Sequence, residues 1–328
     1  ILLAQRDLGT ASIFLLLYSA MIFLASGHRR IILISLFALA VAGFAGYQLF
    51  NVIQIRVDAW LNPWLDAAGG SYQIIQSLQA LAAGGVFGSG PGLGSPGLVP
   101  VAHSDFIFSA IAEETGLFGA FGVLLILALL TSRAFIIATK SPDLFTRFLA
   151  AGLSVSIAMQ SVLIIGGNIR LLPLTGVTLP FFSYGGSSLL TSLISVMILT
   201  IISNQTSQTP SEVTLNRSFQ TISVSLFILL LLGGSFTLWW SIFRGDFPLN
   251  RSDNQRTVIT DRYVKRGSLL DRNGQSINQT TGTPGSFVRE YNIPALGNLV
   301  GYTHPVFGLS GLELAMDGYL RGLDGTPA

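Results

Sequence analysis

Six long apolar runs constrain this chain more than any other feature of its sequence. A helix needs about 20 apolar residues to cross the hydrocarbon core of a bilayer, and each run is close to or above that length. The runs cover residues 8–26, 31–50, 106–131, 148–167, 186–203 and 219–243. Half of the residues are hydrophobic and only 10% are charged, whereas a soluble domain carries roughly 25% charged residues. The sequence therefore predicts a mainly α, polytopic membrane helix bundle.

Basic residues lie in alternate connectors between these runs. The connectors after the first, third and fifth runs contain His28, Arg29 and Arg30, then Arg133, Lys140 and Arg147, then Arg217. Because cytoplasmic loops carry an excess of Lys and Arg, these three connectors are predicted to be cytoplasmic. The opposite side of the membrane then receives residues 51–105, residues 168–185 and everything after about 244.

Charge and cysteine content exclude several function classes. The formal net charge is only +2, so no nucleic-acid partner is predicted. The chain has no cysteine, which excludes disulfides and thiolate metal sites. It begins with Ile1, inside apolar sequence, and ends at Ala328 in a Gly- and Pro-containing stretch. We expect it to be part of a longer chain.

The connector 51–105 is long for a loop of a helix bundle, and long loops are usually functional or disordered. It holds aromatic and apolar residues that can pack, and Leu78 to Leu81 predicts a short helix on the membrane surface. A glycine-rich stretch follows at 84–94. Glycine lets the backbone approach a ligand or another chain segment closely, although a flexible surface loop is an equally good interpretation.

The connector 167–188 combines helix-breaking residues with apolar ones. It has two prolines and four glycines, which forbid one continuous helix, yet it is too apolar for a solvated loop. A broken or re-entrant segment that lines a cavity satisfies both conditions. Arg170 lies where it could meet a phosphate or a carboxylate; the alternative is an arginine that extends to the lipid headgroups.

Carboxylates stand at the start of the third apolar run and within it. His103-Ser104-Asp105 precedes the run, and Glu113 and Glu114 lie inside it. Ionisable groups inside a membrane are costly and usually functional. Asp105 suits a general base, and its place before a helix also suits an N-cap. Because Glu113 and Glu114 differ by about 100° around a helix, we expect that they cannot face the same neighbour and that at least one pairs with a polar group inside the bundle.

The last third of the sequence changes character. Residues 204–218 are polar and predict a cytoplasmic linker, and 219–243 form the sixth span. Residues 244–328 contain short strand-like runs separated by Gly and Asn-Gly turns. This pattern predicts a small mixed α/β module, and an extracytoplasmic domain of no particular class is the alternative.

Several motifs in order along residues 1–203 resemble the SEDS family, the RodA/FtsW-like proteins of shape, elongation, division and sporulation. The motifs are Asp7-Leu8-Gly9-Thr10, Tyr72-Gln73 with Gln76-Ser77, Gly84-Gly85-Val86-Phe87-Gly88, His103-Ser104-Asp105-Phe106-Ile107-Phe108, Glu113-Glu114-Thr115-Gly116, Pro173-Leu174-Thr175-Gly176, and the run from Leu179 to Ser188. The family has about ten spans, so the resemblance implies that this chain holds the C-terminal half.

The resemblance implies a peptidoglycan glycosyltransferase of the bacterial plasma membrane. Family members polymerise lipid II, a disaccharide-pentapeptide on undecaprenyl pyrophosphate. The catalytic aspartate of the family's His-Thr-Asp-Phe motif falls on Asp105, with Ser104 in place of threonine. Mg²⁺ or Mn²⁺ is a candidate cofactor. The residues implied in substrate binding are His103, Arg170, Ser183, Tyr184 and Gln76, and those implied in intramembrane structure are Asp7, Glu113 and Glu114.

The sequence departs from the family pattern at two places. Val101 stands where many members have Glu, and Arg6 stands where members often have Pro. A second carboxylate role at 101 is therefore excluded, and Arg6 is assigned no role.

The tail also resembles a known family. The run Arg266 to Gly274 and the run Gly308 to Glu313 are similar to the membrane-proximal pedestal of class B penicillin-binding proteins, the transpeptidase partners of SEDS polymerases. This implies a fusion of a polymerase to the anchor (219–243) and pedestal (244–328) of its partner, without the transpeptidase motifs. We expect the pedestal to dock on the connector 51–105.

Two other function classes remain open from the sequence. Intramembrane acids and broken helices are also features of transporters, so a lipid II transporter is one alternative. A non-catalytic scaffold that recruits a cross-linking enzyme is the other.

Overall fold

The chain forms two compact units that divide between Gly245 and Asp246. The computed structural model describes residues 8–141, 143–208, 217–251, 254, 256, 264–304 and 308–322. Asp7, predicted to be an intramembrane structural residue, lies outside the described residues. The second unit has nearly the bounds of the predicted 244–328 module.

The first unit is helical. Its helices are α1 (Leu8–Ser26), α2 (Arg30–Leu49), α3 (Asn51–Leu61), α4 (Tyr72–Gly84), α5 (Ile107–Lys140), α6 (Leu144–Asn168), α7 (Gly186–Gln208) and α8 (Arg217–Leu238), with 3-10 turns at Pro63–Asp66 and Pro96–Leu98 and a π-helical turn at Trp239–Phe243. Within the described residues, six helices are long and apolar enough to cross a membrane: α1, α2, α5, α6, α7 and α8 with its π turn. The prediction of a polytopic helix bundle is confirmed.

Two helices are longer than the apolar runs that predicted them. Helix α5 continues past residue 131 to Lys140 because its apolar face, with Ala134, Phe135 and Ala138, stays buried in the core while Arg133 is exposed. Helix α7 continues past 203 to Gln208. It therefore takes up the beginning of the predicted linker 204–218, of which residues 209–216 lie outside the described residues.

Two apolar clusters hold the bundle together, and both are built around α5, α6 and α8. One contains Phe135, Ala158 and Leu226, with Phe23 and Leu24 of α1. The other lies towards the opposite ends of the same helices and includes side chains from α4 and from the segment after α6; its fully buried members include Leu78, Leu81, Phe108, Leu127, Ile164, Ile165, Ile169 and Leu179. Burial of a large aliphatic or aromatic side chain contributes about 1.5–3 kcal/mol in water; in lipid, close packing must supply the stabilisation.

Helix α5 breaks at Gly116, where φ is 66° and ψ is −162°. The glycine-rich stretch after α4 supplies the backbone hydrogen bonds that the break removes. Ser89 N donates to Glu113 O at 2.9 Å, Gly90 N donates to Glu114 O at 3.0 Å, and Leu117 N donates to Gly85 O at 3.1 Å. The stretch is thus a backbone partner of α5, as one of the two interpretations expected.

Glycine is required at this contact because backbone meets backbone. A Cβ on Gly116 would lie 2.4 Å from Gly88 N, and one on Gly88 would lie 2.2 Å from Glu114 O. A Cβ on Gly84 would lie 2.0 Å from Ala112 O. No side chain fits into these spaces without moving the backbone.

Helix α4 is longer and more deeply placed than predicted. It runs from Tyr72 to Gly84, and Leu78, Ala80 and Leu81 have no exposed surface. The helix expected at 78–81 on the membrane surface is therefore part of a longer helix, and α5 and the π turn after α8 cover it. Ser241 Oγ donates to Leu81 O at 3.0 Å and Trp240 Nε1 donates to Ile169 O at 3.0 Å, so the end of α8 caps two other segments.

The second unit contains short elements. They are α9 (Asp246–Leu249), β1 (Asn278–Thr281), β2 (Val288–Tyr291), a 3-10 turn at Pro294–Leu296, α10 (Gly297–Val300), β3 (Thr303–His304), β4 (Gly308–Leu309), α11 (Gly311–Ala315) and α12 (Asp317–Arg321). Strands β1 and β2 are antiparallel, with Asn278 opposite Tyr291, and β3 pairs antiparallel with β4. The elements are both α and β, in two small sheets.

A buried charge network occupies the centre of the described part of this unit. Glu313, with no exposed surface, binds Arg289 Nε at 2.8 Å, Arg266 Nη2 at 3.2 Å and Asn278 Nδ2 at 2.5 Å. Arg266 also binds Asp317 at 2.7 Å. The buried hydrophobic side chains in the described part of the unit are Val300 and Leu320. The network therefore joins the run that begins at Arg266 to the run that ends at Glu313, in a unit where apolar packing is sparse.

We predict that Gly116→Ala destabilises the first unit by about 2 kcal/mol or more, since a positive φ is strained for alanine and the new methyl group would meet the Gly88 backbone. Thermal unfolding of the purified protein in detergent measures the effect. Gly122→Ala is the matched control: Gly122 lies in the same helix, and a Cβ there would have no heavy atom within 4 Å. Equal midpoints for the two variants would contradict the prediction.

We predict that Glu313→Ala loosens the second unit, because it leaves two buried guanidinium groups without this carboxylate; breaking a buried pair costs about 3–5 kcal/mol. Hydrogen–deuterium exchange of residues 264–304 in the whole protein should become faster. The control is Glu290→Ala, since Glu290 is exposed on β2 and exposed charges contribute about 0–1 kcal/mol. Unchanged protection in Glu313→Ala would show that the network does not hold the unit.

Candidate active site

A cavity of about 320 Å³ lies beside Asp105 at one end of the bundle. Helix α3, the beginning of α4 and the segment after α6 form its walls. Its lining includes Arg56, Trp60, Gln73, Asp105, Leu172 and Leu174. The wall is therefore half polar in character, with one carboxylate and one guanidinium among aromatic and aliphatic side chains.

Arg56 and Asp105 both line this cavity, and both approach Gly176. A Cβ on Gly176 would lie 3.7 Å from Arg56 Nη2 and 3.8 Å from Asp105 Oδ2. Arg56 Nη1 also donates to Thr175 O at 3.4 Å. A carboxylate and a guanidinium thus both lie close to Gly176, whose φ is 73°.

Asp105 lies one residue before the N-cap of the helix that follows it. Its Oδ1 accepts a hydrogen bond from Ser104 Oγ at 2.9 Å. The N-cap residue of α5 is Phe106, which makes no side-chain capping bond. The N-cap interpretation of Asp105 is not supported by this geometry, and the half-buried carboxylate faces the cavity.

Hydrogen bonds to three consecutive carbonyl groups hold the backbone around Asp105. Tyr184 N donates to His103 O at 2.8 Å, Ser183 Oγ donates to Ser104 O at 2.7 Å, and Asn168 Nδ2 donates to Asp105 O at 2.7 Å. Ser183 Oγ in turn accepts from Leu179 N at 2.8 Å. The contacts come from α6 and the segment after it, so distant motifs fix the Asp105 loop together.

These contacts clarify the predicted substrate-binding residues. Ser183 is 7% exposed and is hydrogen-bonded to the loop. Tyr184 is 78% exposed, and its ring meets His103 edge-on, with centroids 5.6 Å apart. His103 and Tyr184 therefore form an exposed aromatic pair next to the Asp105 loop, where a ligand could reach them. Their role in binding stays a prediction.

Gln76 lies apart from the cavity lining. It is 1% exposed within α4, whereas Gln73, one turn earlier, is half-buried and lines the cavity. The structure thus offers Gln73 as the glutamine next to Asp105, and the predicted binding role of Gln76 has no geometric support.

Arg170 binds the end of a helix. Its Nε donates to Trp60 O at 2.8 Å and its Nη2 donates to Leu61 O at 2.6 Å, which satisfies carbonyl groups at the C-terminus of α3. Burial lowers the pKa of the Arg170 guanidinium, and the positive charge of Arg244 lowers this pKa further. These contacts explain the position of Arg170 without a bound phosphate or a lipid headgroup. The cation in the cavity lining is Arg56.

Glu113 and Glu114 share a neighbour, contrary to the expectation. A Cβ on Gly94 would lie 2.9 Å from Glu114 Cγ and 3.4 Å from Glu113 Cγ, because the glycine-rich stretch crosses the helix and covers both positions. Glu113 is 2% exposed and its Oε1 accepts from Ser95 N at 3.0 Å. The expectation that at least one glutamate has a polar partner inside the bundle agrees with this contact.

Three residues of the site were not identified from the sequence: Arg56, Gln73 and Asn168. Arg56 carried a usable signal, since it is a cation flanked by Ile55 and Val57. Gln73 belongs to a motif that was noted without a role. Asn168 has no local signal, because its partners Asp105, Ser77 and Ser109 are distant in sequence.

The fold and the site together define a multi-pass membrane helix bundle with a polar cavity at the ends of its helices. The chain belongs to the FtsW, RodA and SpoVE family of cell cycle proteins, whose family model matches residues 1–208.

Relatives with assigned functions agree with this membership. The chain is 39% identical over 204 residues to peptidoglycan glycosyltransferase RodA of Mycobacterium tuberculosis strain H37Rv, covering 62% of this chain and 44% of the relative. It is 40% identical over 206 residues to stage V sporulation protein E of Bacillus subtilis strain 168, covering 62% and 56%. The chain thus spans about half the length of these relatives.

A solved structure is also similar. It concerns structural coordination of polymerization and crosslinking by a peptidoglycan synthase complex, and one of its chains has 34% sequence identity and a TM-score of 0.50. The match covers 62% of this chain and 57% of that one.

Proposed function

We propose that this chain carries the active site of a peptidoglycan glycosyltransferase that polymerises lipid II, with Asp105 as general base. The observation that supports it most directly is that Asp105 and Arg56 line the same cavity and both approach Gly176. The names of the relatives supply the reaction class, since the RodA relatives are called peptidoglycan glycosyltransferases.

The proposed reaction needs one proton acceptor and one centre of positive charge. A sugar hydroxyl of the acceptor attacks the anomeric carbon of the donor, and Asp105 accepts the hydroxyl proton. A new glycosidic C–O bond forms while the bond from the anomeric carbon to the pyrophosphate breaks. The electron pair leaves with the undecaprenyl pyrophosphate, whose developing charge Arg56 stabilises.

A divalent cation remains part of the proposal. Within the described residues, no group of three or more His, Asp or Glu side chains could hold a metal ion. Mg²⁺ commonly binds through one or two carboxylates together with substrate phosphates, so Asp105 and the donor pyrophosphate would be the ligands. Such an ion would supply charge stabilisation to the leaving group, in addition to that from Arg56.

We predict that Asp105→Asn lowers the rate of glycan polymerisation about 10²- to 10⁴-fold, the usual contribution of a general base. Purified protein with lipid II and Mg²⁺ or Mn²⁺ provides the assay, read as glycan polymer on a gel. Asp58→Asn is the matched control, because Asp58 is an exposed carboxylate on the helix that carries Arg56. In the same assay, Arg56→Gln should also reduce the rate, with Arg56→Lys less affected because it keeps the charge.

The outcomes separate the function classes. Polymer from the wild-type protein and none from Asp105→Asn, with lipid II binding retained, supports the polymerase. Equal polymer from both would leave the enzyme without Asp105 as its base. A protein that moves lipid II across vesicle membranes without polymerising it would be a transporter, and a protein that does neither would be a scaffold.

We further propose that residues 244–328 form the extracytoplasmic pedestal of a class B penicillin-binding protein, joined through α8 to the polymerase. Two observations support it. The Arg266 run and the Glu313 run, which carry the resemblance, are joined by a buried ion pair at 3.2 Å. The similar solved structure concerns polymerization and crosslinking together. Covalent tethering would raise the effective concentration of the pedestal to about millimolar.

We predict that this pedestal docks on the outer connector 51–105. Because the chain has no cysteine, introduced pairs report the contact without background. Cysteines at exposed positions of the connector, such as Leu65 or Phe87, should form disulfides with cysteines at exposed positions of the second unit, such as Leu299 or Tyr319. Cysteines at Arg133, on the predicted cytoplasmic side, are the control and should not. A complete panel without crosslinks would overturn the docking.

A further inference from the structure

We infer that Asn168 is a positioning residue for Asp105, fixing the loop that carries the base without touching the substrate. The inference rests on the proposed function. Asn168 is the last residue of α6 and has no exposed surface. Its side chain joins this helix to the residue that we propose as the general base, and nothing in the sequence motifs assigns it a task.

The contacts of the Asn168 amide are specific to asparagine. Its Nδ2 donates to two carbonyl oxygens, Asp105 O at 2.7 Å and Ile164 O at 2.9 Å. Carbonyl oxygens only accept hydrogen bonds, so the group that faces both of them must be the NH₂. This fixes the orientation of the amide, and Oδ1 lies on the other side, 3.2 Å from Ser109 Oγ.

Two buried serines hold Asn168 in place. Ser77 Oγ of α4 donates to Asn168 O at 2.8 Å and lies 2.6 Å from Ser109 Oγ of α5. Two hydroxyl protons serve three contacts, so one contact lacks a proton at any instant. The two shortest contacts are both hydrogen bonds when Ser109 donates to Ser77 and Ser77 donates to Asn168 O. The longer contact from Ser109 to Oδ1 is then the weakest of the three.

The network matters because of what it connects. Three helices, α4, α5 and α6, meet at Asn168 through fully buried Ser77 and Ser109, and hydrogen bonds in a buried network strengthen one another. Through the Asn168 amide, this network holds one atom of the loop that carries the proposed base, the Asp105 carbonyl oxygen. Asp105 N donates to Val101 O at 3.1 Å within the loop itself, so the Asn168 bond is the contact that ties this residue to α6.

The position of a base is critical to its rate contribution, since a misplacement of about 1 Å can reduce a rate roughly 10²-fold. Asn168→Ala removes both donors. We expect kcat for polymerisation to fall about 100-fold on this ground, with KM nearly unchanged, because Asn168 does not line the cavity. Ser161→Ala is the matched control: Ser161 lies two turns earlier in α6, equally buried, and its hydroxyl donates within the helix to Ile157 O at 2.8 Å.

A second variant gives a readout that loss of packing would not produce. Asn168→Asp keeps the shape and has one O–H donor when protonated but none when ionised. Burial raises the pKa of such a carboxyl. The ratio of its kcat to that of the wild-type protein should therefore fall as pH rises, while the ratio for Ser161→Ala stays level.

Hydrogen–deuterium exchange separates this inference from the proposed function. Peptides that cover residues 101–106 should exchange faster in Asn168→Ala than in the wild-type protein or in Ser161→Ala. If the wild-type protein makes no polymer but this exchange increases, the proposed reaction fails and the positioning contact stands. Unchanged exchange in Asn168→Ala would overturn the inference, as would full kcat or an equal loss in Ser161→Ala.

Discussion

The backbone contact between the break in α5 and the glycine-rich stretch supports much of the first unit. A break in a helix inside a bilayer leaves polar backbone groups without water, and here Ser89, Gly90 and Gly85 supply their partners. The contact sets the direction of residues 107–115, which carry Phe108 into the core and Ser109 into the network with Asn168. The beginning of α5, and with it Asp105, therefore depends on glycines more than 10 residues away in sequence.

The site contains two kinds of residues: those that bind the backbone of the Asp105 loop and those that line the cavity. Ser183, Tyr184 and Asn168 each bind a carbonyl of the Asp105 loop, and this leaves the carboxylate of Asp105 directed at the cavity. Arg56 comes from α3, which is itself capped by Arg170. A ligand thus meets side chains whose backbones are already ordered, so the backbone of the site loses little conformational entropy on binding.

Local sequence patterns predicted the features of the fold that depend on neighbouring residues. The six spans follow from run length, and the broken, buried segment after α6 follows from its prolines and glycines among apolar residues. Residues 169–185 are indeed neither helix nor strand, with Ile169 and Leu179 fully buried. The sequence did not identify Gln73 and Arg56 as cavity residues, because the packing of a helix against other segments decides which of its faces lines a cavity. Glu113 and Glu114 share a neighbour despite their separation around α5, because the glycine-rich stretch crosses the helix and approaches both side chains.

The position of the cavity supports the lipid-linked substrate that we propose. Asp105 lies two residues before the span that begins at Ile107, and Leu172 and Leu174 follow shortly after the span that ends at Asn168. These parts of the cavity wall therefore lie next to the ends of two candidate membrane spans, close to where the phosphates of a lipid-anchored molecule would lie. A soluble sugar nucleotide would need its affinity from polar contacts alone. In the proposed reaction, the lipid tail would hold the donor at the membrane boundary, and one carboxylate and one guanidinium in a small cavity would then act on its pyrophosphate linkage.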